Sequence, residues 1–166
     1  RVIGKSMSRM IIVTINPKST ISAMALTVCS GDPFNIIPTD GVNGVVPAGT
    51  TYSWILPNVT GGMTGAASGT AQAGIAGTLT NATTSNQTAT YMVTPSSGSC
   101  VGSPFLVVVT VKSKPVINDM TQTRCSGNVF GVSPISGVNG IVPASTLYSW
   151  PAPAVTGGLA GGVSGT

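Results

Sequence analysis

Apolar and polar positions alternate with a period of two over short stretches of this chain, and no apolar period of 3.6 is sustained over ten residues. Residues 87–94 alternate cleanly, with Tyr91 and Val93 in phase. Residues 50–56 place Tyr52 and Trp54 on one face. Residues 34–37 read as a first strand closed by Pro38, residues 74–80 carry Ile75 and Leu79 in phase, and residues 105–112 read as a final strand. Between them lie turn residues: Gly41-Val42-Asn43-Gly44, where Asn-Gly favours positive φ, and a loop marked by Gly61, Gly62 and Gly65. This pattern predicts about six or seven short strands within ~85 residues, the spacing of a β-sandwich. The longest apolar run, 105–109, has the length of a strand and falls far short of the ~20 residues of a membrane-spanning helix.

The pattern repeats. Cys29-Ser30-Gly31 recurs as Cys125-Ser126-Gly127, Gly41-Val42-Asn43-Gly44 as Gly137-Val138-Asn139-Gly140, and Val46-Pro47-Ala48 as Val142-Pro143-Ala144. Tyr52-Ser53-Trp54 recurs as Tyr148-Ser149-Trp150, Val59-Thr60-Gly61-Gly62 as Val155-Thr156-Gly157-Gly158, and Ser68-Gly69-Thr70 as Ser164-Gly165-Thr166. Every offset is 96, and 25 of the 42 aligned positions between 29–70 and 125–166 are identical. Run backwards, the offset lays Ile11-Ile12-Val13-Thr14-Ile15 over Val107-Val108-Val109-Thr110-Val111, although Gly4 stands one period before Cys100. A self-similarity of this kind is the signature of tandem units. It divides the chain into a tail or last strand of a preceding unit (1–20), a linker (21–28), a complete unit (29–112), a second linker (113–124) and the first half of a further unit (125–166). The expected fold class is all-β: tandem β-sandwiches with a period of 96 residues. The linkers are short and could pair as the first strand of the following unit.

Composition narrows the chemistry. The chain has 166 residues, of which 6% are charged, with three Asp, no Glu and no His. It therefore lacks the commonest general bases and metal ligands, and no catalytic residue, cofactor or metal is expected. The acids Asp32, Asp40 and Asp119 are scattered, which argues against a calcium site. The net charge is +4. The basic residues Arg1, Lys5, Arg9, Lys18, Lys112, Lys114 and Arg124 leave 19–111 without a cation, so no phosphate-binding face is expected and nucleic acid is not a partner. Three N-x-Thr sequences, at Asn58, Asn81 and Asn86, match the glycosylation acceptor pattern weakly. Trp54 has two readings, a stacking platform for sugar and a core tryptophan. Its spacing to Tyr52 favours the core, and Tyr91, Phe105, Tyr148 and Trp150 are read as core aromatics with it.

Three cysteines remain. Cys29 opens the complete unit, Cys100 precedes its last strand, and Cys125 opens the next unit. A structural disulfide between Cys29 and Cys100 is expected, with free thiols as the alternative. It would close a loop of ~70 residues, worth about 2–4 kcal/mol, and imply an oxidising, extracellular setting. Metal and catalytic readings of the thiols are disfavoured by the lack of a CxxC pair and of His.

Cys29-Ser30-Gly31, Gly41 to Gly44, Pro47 to Trp54, Val59 to Gly62, Thr78 to Asn81, Ala89 to Tyr91 and the stretch from Pro95 to Phe105 around Cys100 together resemble the PKD-like, immunoglobulin-type repeats of giant surface proteins of Bacteroidetes. The likeness covers 29–166 and departs from standard PKD domains after Trp54, where Ile55-Leu56-Pro57 replaces an acidic, glycine-containing turn. The resemblance implies a secreted or cell-surface, non-enzymatic role of the kind found in large adhesins, gliding-motility adhesins among them, exported by type IX secretion. Three functions follow as expectations. The first is a structural spacer or stalk in an extracellular adhesin or fibre. The second is a self-assembling filament subunit completed by strand exchange, with residues 1–20 as donor. The third is a carbohydrate-binding accessory module using Trp54 and Trp150. The expected partners are neighbouring repeats, other copies in a fibre, the secretion machinery during export, and a surface polysaccharide or a host or substratum ligand reached through other regions.

Overall fold

The computed structural model describes residues 9–13 and 15–166. The expectations that involve Arg1, Gly4, Lys5 and the start of the 1–20 tail lie outside them. Every regular element among the described residues is a strand. In chain order these are β1 (Thr20–Ile21), β2 (Met24–Cys29), β3 (Pro33–Ile36), β4 (Gly44–Val45), β5 (Thr50–Trp54), β6 (Asn58–Val59), β7 (Gly69–Gln72), β8 (Ile75–Thr78), β9 (Gln87–Ser97), β10 (Cys100–Val101), β11 (Phe105–Lys112), β12 (Val116–Ile117) and β13 (Gly140–Ile141).

The main sheet runs β2-β11-β9-β5-β7, with β6 and β10 also bonded to β9. All its pairs are antiparallel except β2 with β11, which run parallel from Met24↔Val107 to Cys29↔Lys112. The pair β3–β8 and the pair β1–β4 complete the unit. Alternation decides which side chains enter the core. On β11, Phe105, Val107, Val109 and Val111 are buried, and on β9, Ala89, Tyr91, Val93 and Pro95 are buried. Phe34 and Ile36 from β3, Ile75 from β8 and Leu79 close over them, with Met24, Leu26 and Val28 of β2 packed at the margin. At roughly 1.5–3 kcal/mol for each large side chain taken from water, these layers hold the unit together.

The turn at Gly44 shows why its residue type is needed. Its φ is +123°, and a Cβ there would lie 2.1 Å from the Thr20 carbonyl oxygen, so only glycine lets β4 reach β1. The arrangement recurs at the 96-residue offset: β12 pairs with β13 as β1 does with β4, and a Cβ on Gly140 would meet the Val116 carbonyl at 2.1 Å.

Three parts bear on the sequence expectation. The stretch 21–28, expected as a linker that could pair as the first strand of the unit, does pair: it holds Ile21 of β1 and most of β2, an edge strand of the main sheet. Ile11, Ile12, Val13 and Ile15, expected as a last strand, are exposed and belong to no strand. Residues 125–166 form the tight turns that residues 29–70 form but little sheet. Tyr148 and Trp150, expected in a core, are 39% and 53% exposed. The reason is topological. Their counterparts are covered by β9 and β11, which come from the second half of a unit, and this stretch has no such strands against it.

Candidate functional site

The aromatic residues of the complete unit are structural. Tyr52, Trp54, Tyr91 and Phe105 are all buried. Tyr91 takes edge contacts from Phe34 at 6.1 Å and Trp54 at 6.2 Å, and Tyr52 packs edge-on against Phe105 at 6.4 Å. Burial pushes the Tyr52 and Tyr91 phenols above their ordinary ionisation range. The Trp54 indole N–H donates to the Ala67 carbonyl at 2.9 Å, and a Cβ on Gly69 would collide with its ring at 2.4 Å. Ring and polar edge are thus both occupied, and Trp54 offers no platform for a sugar. Trp150 keeps the same local contacts, with its N–H on the Val163 carbonyl at 3.1 Å and Gly165 against the ring. Its outer face is open, beside a cleft of about 290 Å³ lined by Ser149, Pro151 and Ser164 to Thr166.

Sequence reasoning missed a buried polar hub. Asn81 is 2% exposed and Ser30 is 8% exposed. The Asn81 N–H donates to Ser30 Oγ at 2.9 Å, and Ser30 Oγ–H donates to the Asn81 carbonyl at 3.2 Å. Asn81 Nδ2 donates to the Val111 carbonyl at 3.0 Å and the Ser85 carbonyl at 2.8 Å. Asn81 Oδ1 accepts from Thr83 N at 2.9 Å and Thr83 Oγ1 at 2.8 Å. Ser113 Oγ then donates to the Thr83 carbonyl. The hub ties the end of β2, the β8–β9 loop, the end of β11 and the segment beyond it into one block. It also removes Asn81 from any glycosylation reading, because its amide is fully engaged, whereas Asn58 and Asn86 are exposed. The recurrence of Cys-Ser-Gly at 125–127 is the signal in the sequence that includes Ser30.

The expected Cys29–Cys100 disulfide is absent: Cys29, Cys100 and Cys125 are free thiols. The fold forbids the pairing. Cys29 lies opposite Lys112 at one pole of the main sheet, and Cys100 lies opposite Ser97 at the other. The length of β9, 11 residues, stands between the poles. At ~3.3 Å per residue that is more than about 30 Å, whereas a disulfide needs Cα atoms within ~7 Å. The two ends of the unit's sequence are therefore not neighbours in space.

The poles are also where the chain arrives and leaves. At the upstream pole the Ser103 N–H donates to the Ser19 carbonyl at 3.3 Å, and Gly102 packs so closely that a Cβ would lie 2.6 Å from the same oxygen. The β9–β10 hairpin carrying Cys100 therefore sits beside the incoming segment. At the downstream pole the Ser30 N–H donates to the Lys112 carbonyl at 3.0 Å. An open cleft of about 290 Å³ there is lined by Thr27, Val28, Cys29, Asp32, Pro33 and Lys112. Among the described residues no three His, Cys, Asp or Glu side chains gather as metal ligands, and no helix is long and apolar enough to cross a membrane.

Comparison with known proteins gives one assignment. No curated protein and no solved structure matches the chain. The sequence profile of the PKD-like domain matches residues 26–115, the stretch that runs from within β2 through the sheet to the segment after β11. Such domains are typically extracellular modules that serve structure and not catalysis. The all-strand sandwich, the buried aromatic core and the profile match agree, and the chain belongs to the PKD-like domain family.

Proposed function

We propose that this chain is a non-enzymatic spacer within a long extracellular repeat protein, a stalk of the surface-adhesin type. The observation that carries the reading is the second copy of the unit's first half. At an offset of 96 residues it reproduces the β1–β4 pair as β12–β13 and the tryptophan contact to a carbonyl, while leaving Phe130, Tyr148, Trp150 and Leu159 exposed. Their counterparts Phe34, Tyr52, Trp54 and Met63 are buried in the complete unit. Side chains with this pattern are made to be covered, and the strands that cover them in the complete unit come later in the unit. Opposite poles for arrival and departure supply the mechanical logic: stacked units lengthen the array and carry a distal binding region outward. Export by a type IX route and a gliding-motility adhesin as parent protein belong to this proposal through the resemblance of the repeat.

A second reading has one observation in its favour. Ile11, Ile12, Val13 and Ile15 are 75–87% exposed and match β11 at the repeat offset, so this segment of one copy could pair with residues 120–125 of another. The intact mass of the native polypeptide separates the two. A mass far above 16.5 kDa supports the stalk. A mass near that value, with oligomers that grow with concentration, favours strand exchange and overturns the stalk.

A further inference from the structure

We propose that Cys29 forms a disulfide with the hairpin cysteine of the following unit, the counterpart of Cys100, so that this junction is stapled across the two poles, whereas a unit with glycine at the hairpin position, as Gly4 marks for the preceding one, forms no such link. The inference rests on the tandem reading and adds a covalent partner for thiols that the fold keeps apart within one unit. Three observations place the partner. First, Cys29 is exposed in the wall of the downstream cleft, next to Lys112, where the chain leaves the unit. Second, Cys100 sits on a hairpin tip at the upstream pole, beyond the turn at Gly98, whose φ is +57°. That hairpin is held against Ser19. Third, the repeat offset makes Pro115 the counterpart of Ser19, so the following unit's hairpin stands beside Pro115. Only residues 113–115 separate β11 from β12, a path of at most ~14 Å. The downstream cleft and the next hairpin tip are therefore tethered face to face, a concave surface against a convex one.

The same geometry gives the staple a function. With Ser113 held by the Thr83 carbonyl, Lys114 and Pro115 remain between the units as a short hinge. A second covalent link between neighbouring poles would remove that hinge and leave a stiffer rod. In the reaction, the Cys29 thiol and the partner thiol lose two protons and two electrons in all, one S–S bond forms, and an external disulfide oxidant takes them up and is reduced to two thiols. An extracellular setting favours the product.

The test uses the native full-length protein, purified without reductant, with free thiols blocked by N-ethylmaleimide. Trypsin is of no use, because 19–111 holds no Lys or Arg and both cysteines stay on one peptide. Cyanogen bromide separates them: Cys29 falls in fragment 25–63 and Cys100 in fragment 93–120. The expected result is fragment 25–63 disulfide-linked to a hairpin fragment of the following unit, in a chain whose non-reduced mass is that of a monomer. Cys29→Ser should abolish that linked pair, free the partner thiol for alkylation and leave the circular dichroism spectrum unchanged. Following units present with Cys29 alkylated, or linked to Cys100 or to another chain, would overturn the staple and leave the spacer reading intact. Finding no residues beyond those of this chain would overturn both.

Discussion

Asn81 concentrates in one side chain the satisfaction of polar groups that most of the unit achieves through its strand ladders. Its two amide protons and its carbonyl oxygen hold four partners, and its backbone engages Ser30 twice. Every buried side-chain polar atom among the described residues has a partner, so removing this hub creates orphans where none existed. Asn81→Ala should cost about 2–3 kcal/mol by chemical denaturation, because the Val111 carbonyl and the Thr83 N–H lose their partners in a buried place. A change below about 0.5 kcal/mol would show that water replaces the amide freely. The two raised phenols give a second residue-level expectation. An unfolded tyrosine ionises near ~10, whereas burial holds Tyr52 and Tyr91 protonated above that value. Their contribution to folding is therefore complete below the unfolded value and is lost as pH rises through the folded ones. Stability against denaturant should stay flat with respect to these groups to about pH 10 and fall beyond it. A titration followed by phenolate absorbance should show Tyr52→Phe and Tyr91→Phe each removing a late-ionising group.

At the scale of elements, legibility followed the strength of alternation. Residues 105–112 were readable to the residue as β11, and residues 87–94 gave most of β9. The end of β9 was missed because Pro95 reads as a strand breaker. Its ring lacks only the donor, and its carbonyl accepts the Gly102 N–H at 2.8 Å while Tyr52 lies opposite it. β7 was illegible because Gly69-Thr70-Ala71-Gln72 has no apolar alternation; it is a strand because β5 stands beside it and the Trp54 ring needs the bare glycine. β2 read as a linker because its outward residues Ala25 and Cys29 are themselves apolar and blur the alternation of Met24, Leu26 and Val28, which lie half-buried at the edge of the sheet. Two single substitutions test this account. Gly44→Ala puts a Cβ into the Thr20 carbonyl and should destabilise by more than about 1 kcal/mol, with lost hydrogen-exchange protection at Ile21 and Val45. Leu79→Ala, at a position with no exposure, should cost about 2–5 kcal/mol in the same denaturation assay and expose no new ligand surface. Equal protection before and after the glycine change would show that β1 and β4 pair independently of the close approach.

The molecule as a whole is governed by non-local pairing. The main sheet joins β2 to β11 and β5 to β9, so the first half of a unit cannot bury its own apolar face. This explains why the same sequence motif gives a core tryptophan at 54 and a half-exposed one at 150. The aromatic pattern was legible in both places; its burial was not, because burial depends on strands about 40 residues further along the chain. The pairing also explains why the cysteines deceived: the β9–β10 hairpin carries Cys100 to the pole opposite Cys29, and sequence spacing alone contains no pole. A fluorescence experiment exploits the contrast between the tryptophans. In this chain by itself, acrylamide should quench the emission of Trp150 readily and that of Trp54 hardly at all, giving a biphasic curve that Trp150→Phe makes uniform and resistant. In the native protein, where the stalk reading supplies a second half to residues 125–166, both indoles should resist quenching equally and the biphasic shape should vanish. If Trp150 stays as accessible in the native protein as in the chain alone, the half unit is not completed there, and its apolar face needs another explanation.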